Sequence, residues 1–416
     1  MDGELNKGVV GLDIPAEPGM RLDDIATPAL IVDLDAFERN VETLRAFITA
    51  NGVRLRAHAK THKSADIARY QMEKGGACGV CCQKVSEAQA LIAAGIKDVL
   101  VSNQVINKRQ IAHLAEMARD ARVIVCVDDA ANVDALSKAA QEAGTTIECL
   151  VEIDVGAGRC GVEWGAPTTA LAGKIAQSRG LKFAGLQAYQ GSAQHKRTAA
   201  ERKALIDVAI DQVRQTVAML DAEGLPCDII GGAGSGSYEL ETASGIYNEL
   251  QCGSYVFMDA DYGRVLDGDG KPKSDFENAL FILTTVMSKT KPGIAVCDAG
   301  LKVQSVDSGP PVIHGHDGLE FLKCSDEHGV INDPTDSLAL GDKLKLIPGH
   351  CDPTCNIHDQ TKDTCVDMGI GQEGKASATL TQLTKDYQAN MKALREATLK
   401  AGKFAWQVRS QIRRRW

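Results

Sequence analysis

The chain has 416 residues, 44% hydrophobic and 24% charged, and so has material for two or three average domains or for one (β/α)8 barrel with an appended domain. Its net charge of −9 argues against nucleic acid as a general partner, although residues 361–416 are basic. No apolar run approaches the ~20 residues of a membrane span, the acidic N-terminus lacks a secretory signal, and thirteen irregularly spaced cysteines suit reduced thiols, so we expect a cytoplasmic protein.

Short apolar runs alternate with amphipathic helical patterns from about residue 54 onward. The helical patterns have apolar residues at three- and four-residue intervals, as in Lys108–Met117 and Ala199–Glu223. The eight runs predicted as strands are Val53–His58, Ala77–Cys82, Val99–Asn103, Val123–Val127, Glu148–Val155, Phe183–Tyr189, Cys227–Gly231 and Leu250–Phe257. This α/β alternation predicts a closed parallel (β/α)8 barrel, and a doubly wound open sheet is the competing architecture.

After about Asp275 the sequence has β-strand patterns without intervening helices. Ala279–Met287, Ile294–Cys297 and Lys343–Ile347 are examples, and they predict a second, mainly β domain. We therefore predict a barrel over residues 27–275 and a β domain over residues 276–359, which the N-terminal residues 1–34 are candidates to join. Residues 360–416 predict a basic, helical C-terminal tail.

The motif Arg56–Lys63 follows the first predicted strand and contains Lys60 between two histidines. Functional groups of such barrels lie at the C-terminal ends of the strands, where this lysine falls. Neighbours that can be cationic would depress the pKa of Lys60 and leave its amine free to form a Schiff base. By composition alone, the competing interpretation is a solvated basic loop.

Further polar residues follow other predicted strands and therefore belong to the same end of the barrel. They are Gln83, Lys84, Asn103, Arg159, Tyr189, Gln194 and His195. Each alone is better explained as a structural or solvated residue, but their shared position makes them candidate site residues.

A glycine- and serine-rich segment, Gly231–Ser237, follows the seventh predicted strand. Its N–H groups and hydroxyls suit an anion, and barrels commonly hold a phosphate group between strands seven and eight. Gly253, Ser254 and Tyr255 on the eighth predicted strand would complete this cradle, although strand packing also explains them. A dinucleotide-binding loop is the rival interpretation, but Tyr238–Gly245 predicts no helix after the glycines.

The segment Gly349–Asp352 follows the predicted strand Lys343–Ile347. On an extended backbone, residues two apart point to the same side, so His350 and Asp352 would grip one ion. A histidine with a carboxylate and otherwise open positions suits Mg²⁺ or Mn²⁺. A His-x-Asp pattern is also common by chance, so this pair alone is weak evidence.

Taken together, these motifs resemble the fold-type III pyridoxal-phosphate family of alanine-racemase-like barrels. The resemblance extends from about Thr27 to Asp359 and is to the metal-dependent branch of D-threonine aldolases, D-serine dehydratases and 3-hydroxy-D-aspartate aldolases. Within that branch, Tyr247–Arg264, Gln304–Gly309 and Gly349–Asp359 are most similar to the 3-hydroxy-D-aspartate aldolases.

The resemblance implies a role for each candidate residue. It implies that Lys60 carries pyridoxal 5'-phosphate, that His195 is a nearby base, and that the enzyme is a homodimer acting on a small amino acid. The implied cofactor contacts are Gln83, Arg159 and Tyr189 at the ring and Ser235, Gly236, Gly253, Ser254 and Tyr255 at the phosphate. The implied metal ligands are His350 and Asp352.

The resemblance also implies cleavage of a D-configured β-hydroxy-α-amino acid, and two other functions compete with it. A dehydratase would use the same cofactor, but its relatives favour a cysteine where Asp352 stands. A small cofactor-binding barrel without catalysis would lack the β domain and the metal pair. For a substrate with a second carboxylate, the candidate cations are Arg56, His62, Lys63, Arg197, Arg264, Lys302 and His328.

Overall fold

The computed structural model describes residues 9–12, 14–17 and 19–358. The predicted tail over residues 360–416 lies outside the described residues. No helix of the described part is both long and apolar enough to cross a membrane.

The described chain alternates strands and helices up to residue 250 and is then mainly strands. The strands are β1 (Ala29–Val32), β2 (Arg54–His58), β3 (Gly79–Cys82), β4 (Asp98–Gln104), β5 (Arg122–Val127), β6 (Ile147–Glu152), β7 (Leu181–Gln187), β8 (Ile229–Gly232), β9 (Glu249–Leu250), β10 (Leu280–Lys291), β11 (Ile294–Cys297), β12 (Val312–Ile313), β13 (Glu320–Cys324), β14 (Gly329–Asn332) and β15 (Lys343–Ile347). The α-helices are α1 (Leu34–Asn51), α2 (Ala65–Glu73), α3 (Val85–Ala93), α4 (Lys108–Met117), α5 (Ala130–Ala143), α6 (Ala166–Gln177), α7 (Ala199–Ala222), α8 (Tyr238–Ala243) and α9 (Cys351–Ile357).

Strands β2 to β9 form a closed parallel barrel, which confirms the predicted architecture and excludes the open sheet. The barrel closes where β9 pairs with β2 through Arg54 opposite Glu249 and Leu55 opposite Leu250. Its strands are buried on both faces, which explains their nearly continuous apolar runs. For example, Leu100 packs inside the barrel, while Val99 and Val101 pack against the surrounding helices.

The prediction of the eighth strand is largely wrong. The strand is only Glu249–Leu250, and Ser254–Val256 forms a 3-10 turn instead. The apolar run there is buried by tertiary packing, since the Tyr255 ring lies 5.6 Å from Phe276 and the Phe257 ring 6.4 Å from Phe37. Burial from two sides produces the same apolar pattern as a strand, so the pattern alone cannot separate them.

The second part of the fold is an antiparallel sheet of seven strands. Six follow the order β12-β15-β10-β11-β14-β13, and β1 pairs with β10. This arrangement confirms a second, mainly β domain, while the predicted boundary at residues 275 and 276 stays a prediction. After β15, α9 returns the chain to the C-terminal end of the barrel, where the Cys351 N–H donates to Asp259 at 2.9 Å.

Candidate active site

Lys60 stands at the mouth of a cavity at the C-terminal end of the barrel. It follows β2 by two residues, its side chain is 41% exposed, and its Nζ lies 2.9 Å from Oδ2 of Asp352 at the start of α9. The cavity and the solvent-open space at its mouth together occupy about 490 Å³. Its lining is His58, Lys60, Gln83, Ser102, Arg159, Gln187, Tyr189, Ala233, Gly234, Ser235, Gln251, Gly253, Ser254 and Tyr262.

The predicted depression of the Lys60 pKa is wrong. Burial lowers the pKa of Lys60, but the carboxylate of Asp352 outweighs burial and raises it above its ordinary value. Burial also lowers the pKa of His58 to about 3 and that of His62 to about 4, so both rings are neutral at pH 7. The flanking histidines therefore supply no positive charge. The pKa of Lys60 is raised instead by the carboxylate of Asp352, which is 292 residues away in sequence.

The cavity floor is a small hydrogen-bonded cluster of His58, Gln83 and Ser102. The Gln83 side-chain amide lies 3.0 Å from Nε2 of His58 and 3.1 Å from Oγ of Ser102. Gln83 therefore lines the cavity, and its contact with a cofactor ring stays a prediction. Sequence reasoning missed the other two residues, although the alternation along β4 could have identified Ser102 as facing the barrel interior.

Arg159 and Tyr189 form one side of the cavity. The Arg159 guanidinium carbon lies 5.8 Å from the centre of the Tyr189 ring, and Nη2 lies 3.7 Å from Glu152. Tyr189 follows β7 and is not part of it, contrary to the predicted strand. Burial raises the pKa of Tyr189, so its phenol is neutral and can donate a hydrogen bond.

The loop Gly231–Ser237 turns sharply into the cavity. Ala233 has a φ of 71°, and a Cβ on Gly234 would lie 2.5 Å from Oε1 of Gln194, so a larger residue at 234 would have to displace the Gln194 side chain. Ser235 accepts the N–H of Tyr255 at 2.9 Å, and its own N–H has no hydrogen-bond partner among the residues that the structure describes. A free N–H at the cavity wall suits an anionic group.

Two of the implied phosphate contacts differ from the expectation. The Gly236 N–H donates to Oε1 of Gln194 at 2.9 Å, so it supports the loop and does not face the cavity. The Tyr255 side chain is buried in the core, where its hydroxyl accepts from Gln71, and only its backbone serves the loop. Gly253 and Ser254 do line the cavity, on the 3-10 turn and not on a strand.

Gln194 supports the loop from outside, a role that sequence reasoning missed. It is buried, and its Nε2 donates to Oγ of Ser237 at 2.7 Å while Oε1 holds Gly236. Ser237 in turn donates to Glu241 of α8, the helix that the sequence did not predict. The sequence shows no sign of α8 because the helix has only six residues, too few for a periodic pattern. Its position depends on these side-chain contacts.

His195 lies on a 3-10 turn, Gly191–His195, just before α7. Its ring is 61% exposed and is not part of the cavity lining described above, and its Nδ1 lies 2.9 Å from Oδ2 of Asp261. The hydrogen bond to Asp261 raises the pKa of His195. Because a carboxylate can only accept, this bond places the proton on Nδ1 and leaves Nε2 as the acceptor in the neutral ring.

His350 and Asp352 do not lie together on an extended strand as predicted. His350 precedes α9 with an extended backbone, and Asp352 lies in the first helical turn. Burial alone would raise the pKa of Asp352, but the charge and hydrogen bond of Lys60, together with a smaller influence of His350, lower it to about 2.

The residues present suit both groups that the resemblance implies. Gly253 lets the backbone approach Thr61 closely, since a Cβ there would lie 2.6 Å from Oγ1 of Thr61. Gly253 and Ser235, whose N–H has no partner among the described residues, both line the cavity and suit a phosphate. For the metal, no group of three or more His, Cys, Asp or Glu side chains could hold an ion in the described part of the chain. A His–Asp pair with open positions suits a metal that also binds water and substrate.

Known proteins are similar to this chain over most of its length, in sequence and in fold. A 3-hydroxy-D-aspartate aldolase of Paracoccus denitrificans (strain Pd 1222) is 54% identical over 353 residues, covering 84% of this chain and 91% of the relative. A D-threonine aldolase of Arthrobacter sp is 46% identical over 361 residues, covering 86% and 94%. The crystal structure of a D-threonine aldolase from Filomicrobium marinum matches with a TM-score of 0.83 at 48% identity, covering 87% of this chain and 96% of that one.

Two families cover the two parts of the fold. Residues 32–261 match the family described as "Alanine racemase, N-terminal domain", and residues 279–362 match the "Putative serine dehydratase domain". The first match contains all eight barrel strands, and the second contains β10 to β15 with α9. The chain therefore belongs to the alanine-racemase-like, fold-type III family of pyridoxal-phosphate enzymes.

Proposed function

We propose that this protein is a pyridoxal-phosphate- and divalent-metal-dependent aldolase that cleaves 3-hydroxy-D-aspartate to glycine and glyoxylate, with D-threonine as a possible second substrate. The observation that carries the proposal is the 2.9 Å contact between Lys60 and Asp352. It joins a lysine at a barrel strand end to the His–Asp pair of the second domain. The similarity to 3-hydroxy-D-aspartate and D-threonine aldolases supports the same class of reaction.

The cofactor would be held between Lys60 and the serine-rich backbone across the cavity. Ser235, Gly253 and Ser254 would bind its phosphate, and Gln83 and Arg159 would orient its ring. When bound, pyridoxal phosphate supplies a ring that can absorb the electron pair of a broken Cα bond. Gln83 can orient the ring because its own side chain is fixed by the floor of the cavity.

His350 and Asp352 would hold Mg²⁺ or Mn²⁺, which lowers the pKa of a hydroxyl that it binds. In the structure the carboxylate of Asp352 is neutralised by Lys60. Once the Lys60 amine is used to hold the cofactor, this ionised carboxylate loses its ammonium partner, and its negative charge is available to a metal cation. We therefore expect the cofactor-loaded enzyme to bind the metal with higher affinity than the enzyme without cofactor.

His195 would be the proton acceptor, directly or through one water. Asp261 holds Nδ1–H, so Nε2 is free to take the proton of the substrate β-hydroxyl. The Cα–Cβ bond then breaks, the aldehyde leaves as glyoxylate, and a proton delivered to Cα completes glycine. Because its side chain is 61% exposed, His195 can exchange this proton with solvent between turnovers.

Burial and pairing argue against two of the candidate cations for a second substrate carboxylate. Arg56 is fully buried and paired with Glu249 and Asp98, and His62 is buried and neutral, so neither can serve. Arg197 and Arg264 are partly exposed and share Asp261 with His195, which places them on the side of the proposed base. This cationic side favours a dicarboxylic substrate over threonine.

A dehydratase of D-serine or 3-hydroxyaspartate is the second candidate, because the match of residues 279–362 to the serine dehydratase domain favours it. The carboxylate of Asp352 speaks against it, since the resembling dehydratases favour a cysteine there, which suits a softer zinc site. The two reactions differ in products: an aldolase yields glycine and an aldehyde, whereas a dehydratase yields ammonia and a keto acid.

The test is to incubate the holoenzyme with 3-hydroxy-D-aspartate, D-threonine and D-serine, each with and without Mn²⁺, and to identify all products. Glycine and glyoxylate in equal amounts from 3-hydroxy-D-aspartate would support the proposal. Oxaloacetate, pyruvate or ammonia as the main products would refute it in favour of the dehydratase. Acetaldehyde from D-threonine at a higher kcat/KM than glyoxylate would reverse the substrate preference.

We also propose a homodimer, on the strength of the family resemblance. Light scattering on the purified holoenzyme measures its mass directly. A mass of one chain at micromolar concentration would contradict this part of the proposal without touching the reaction.

A further inference from the structure

We propose that Asp307 is a positioning residue of the metal site, which holds the His350 ring so that Nε2 is the nitrogen presented to the metal. The inference rests on the proposed function, because the metal pair belongs to that proposal. Its geometric basis is the 2.9 Å distance between Oδ2 of Asp307 and Nδ1 of His350. Asp307 lies on the segment Gln304–Gly309, between β11 and β12.

The direction of this hydrogen bond determines which ring nitrogen is available. An ionised carboxylate has no proton to donate, so Nδ1 of His350 must carry the hydrogen. In the neutral imidazole the lone pair is then on Nε2, on the opposite side of the ring. Histidines that bind metals commonly donate their other N–H to a carboxylate in this way, and the carboxylate also makes the ligand more basic.

Asp307 is itself held in place, unlike an ordinary surface carboxylate. Its Oδ1 accepts the hydroxyl of Ser305 at 2.6 Å, which leaves Oδ2 directed to His350. The Ser305 N–H donates at 3.1 Å to Oγ1 of Thr354, a buried residue of α9. Since α9 also carries Asp352, the loop, the imidazole and the second metal ligand are connected to one rigid element.

A close backbone contact brings the two segments together. A Cβ on Gly349 would lie 2.0 Å from the carbonyl oxygen of Gly309, so any larger residue would push the loop away from His350. Gly309 itself has a φ of 113°, which favours glycine. This packing gives a physical reason for a glycine directly before His350 and another two residues after Asp307.

The competing explanation is a surface ion pair without function. The Asp307 side chain is 53% exposed, and exposed pairs usually contribute only about 0.2–1 kcal/mol. Such a pair would have no effect on metal affinity. The Ser305 and Thr354 contacts argue for positioning, and metal affinity separates the two explanations.

The experiment measures Mn²⁺ affinity by electron paramagnetic resonance of the cofactor-loaded enzyme without substrate. We expect Asp307→Ala to weaken Mn²⁺ binding about 10- to 100-fold, the usual effect of removing such a partner. Asp307→Asn should weaken it less, because the amide oxygen can still accept Nδ1–H. Asp317→Asn, which changes an exposed aspartate between β12 and β13, is the control and should bind Mn²⁺ as the wild type does.

Other outcomes would overturn the inference in distinguishable ways. In one such outcome the wild type binds Mn²⁺ and His350→Ala abolishes this binding, while Asp307→Ala leaves the affinity unchanged. This combination would refute the role of Asp307 and leave the proposed function intact. Loss of binding in Asp307→Ala as complete as in His350→Ala would make Asp307 a direct ligand. A wild-type enzyme that binds no Mn²⁺ would refute the proposed metal site, and the inference with it. Cofactor absorbance and circular dichroism of each variant report whether it folds.

Discussion

Replacing Asp261 by asparagine should move the acidic limb of the pH profile to lower pH. In the structure the hydrogen bond and charge of Asp261 raise the pKa of His195. Below this pKa, His195 is protonated and cannot accept the hydroxyl proton, so activity falls as the pH falls through it. Asparagine removes the negative charge, the pKa of His195 drops, and the base stays active at a lower pH.

The size of the shift follows from the exposure of the ring. Because the His195 side chain is 61% exposed, solvent screens the pair, which then contributes about 0.2–1 kcal/mol. One pKa unit corresponds to about 1.36 kcal/mol, so the limb should move by roughly 0.2–0.7 pH units. Arg197 also loses its partner in this variant, and its charge disfavours the His195 cation, so we expect the upper part of this range.

The assay is kcat/KM for aldol cleavage between pH 5 and 9, because this parameter reports the base of the free enzyme. Titration of the His195 ring by NMR provides a second readout that does not depend on activity. Asp211→Asn, which removes an exposed aspartate on the outer surface of α7, is the control and should leave the profile unchanged. An acidic limb that stays in place or moves to higher pH in Asp261→Asn would refute His195 as the base.

Three further predictions concern the cofactor and the metal. Lys60→Ala should lose the visible absorbance that appears when pyridoxal phosphate is added. Lys84→Ala, which changes an exposed lysine at the same end of the barrel, should keep this absorbance. An unchanged spectrum of Lys60→Ala would exclude Lys60 as the residue that carries the cofactor. Gly253→Ala should weaken cofactor binding about 5- to 150-fold, the equivalent of the usual ~1–3 kcal/mol of overpacking, because its Cβ would clash with Thr61. Equal affinity to Gly263→Ala, a position with open space for a Cβ, would refute the cradle. Chelation by EDTA should abolish cleavage and leave the absorbance intact, with recovery on adding Mn²⁺; full activity in EDTA would show that no metal is required.

Much of the fold was predictable because local sequence patterns and tertiary burial agree there. Lys108–Met117, Ile294–Cys297 and Lys343–Ile347 were predicted with the observed bounds. The prediction failed where burial arises from distant segments of the chain, as in the run after β9 that packs against Phe37 and Phe276. It also failed for α8, whose short length leaves no periodic pattern to detect.

The candidate site likewise contains residues that were predictable from local sequence and residues that were not. Several cavity residues, among them Gln83 and Ser235, were predictable because the ends of parallel barrel strands converge regardless of distance in the chain. Asp259, Asp261 and Asp307 were not predictable, since each acts on a partner from a different element: Cys351, His195 and His350. A hydrogen bond of this kind depends on distances that local sequence does not encode.

By itself, the sequence determined the eight-stranded barrel, the second β domain and the set of residue types at one end of the barrel, because alternating apolar patterns and strand-end positions are local properties. Only the tertiary structure decided the electrostatics of Lys60. Its histidine neighbours in sequence are buried and neutral, and its charge is stabilised by Asp352 from the far end of the described chain. The pKa of a group depends on burial and on charges within a few ångströms, and both are consequences of folding.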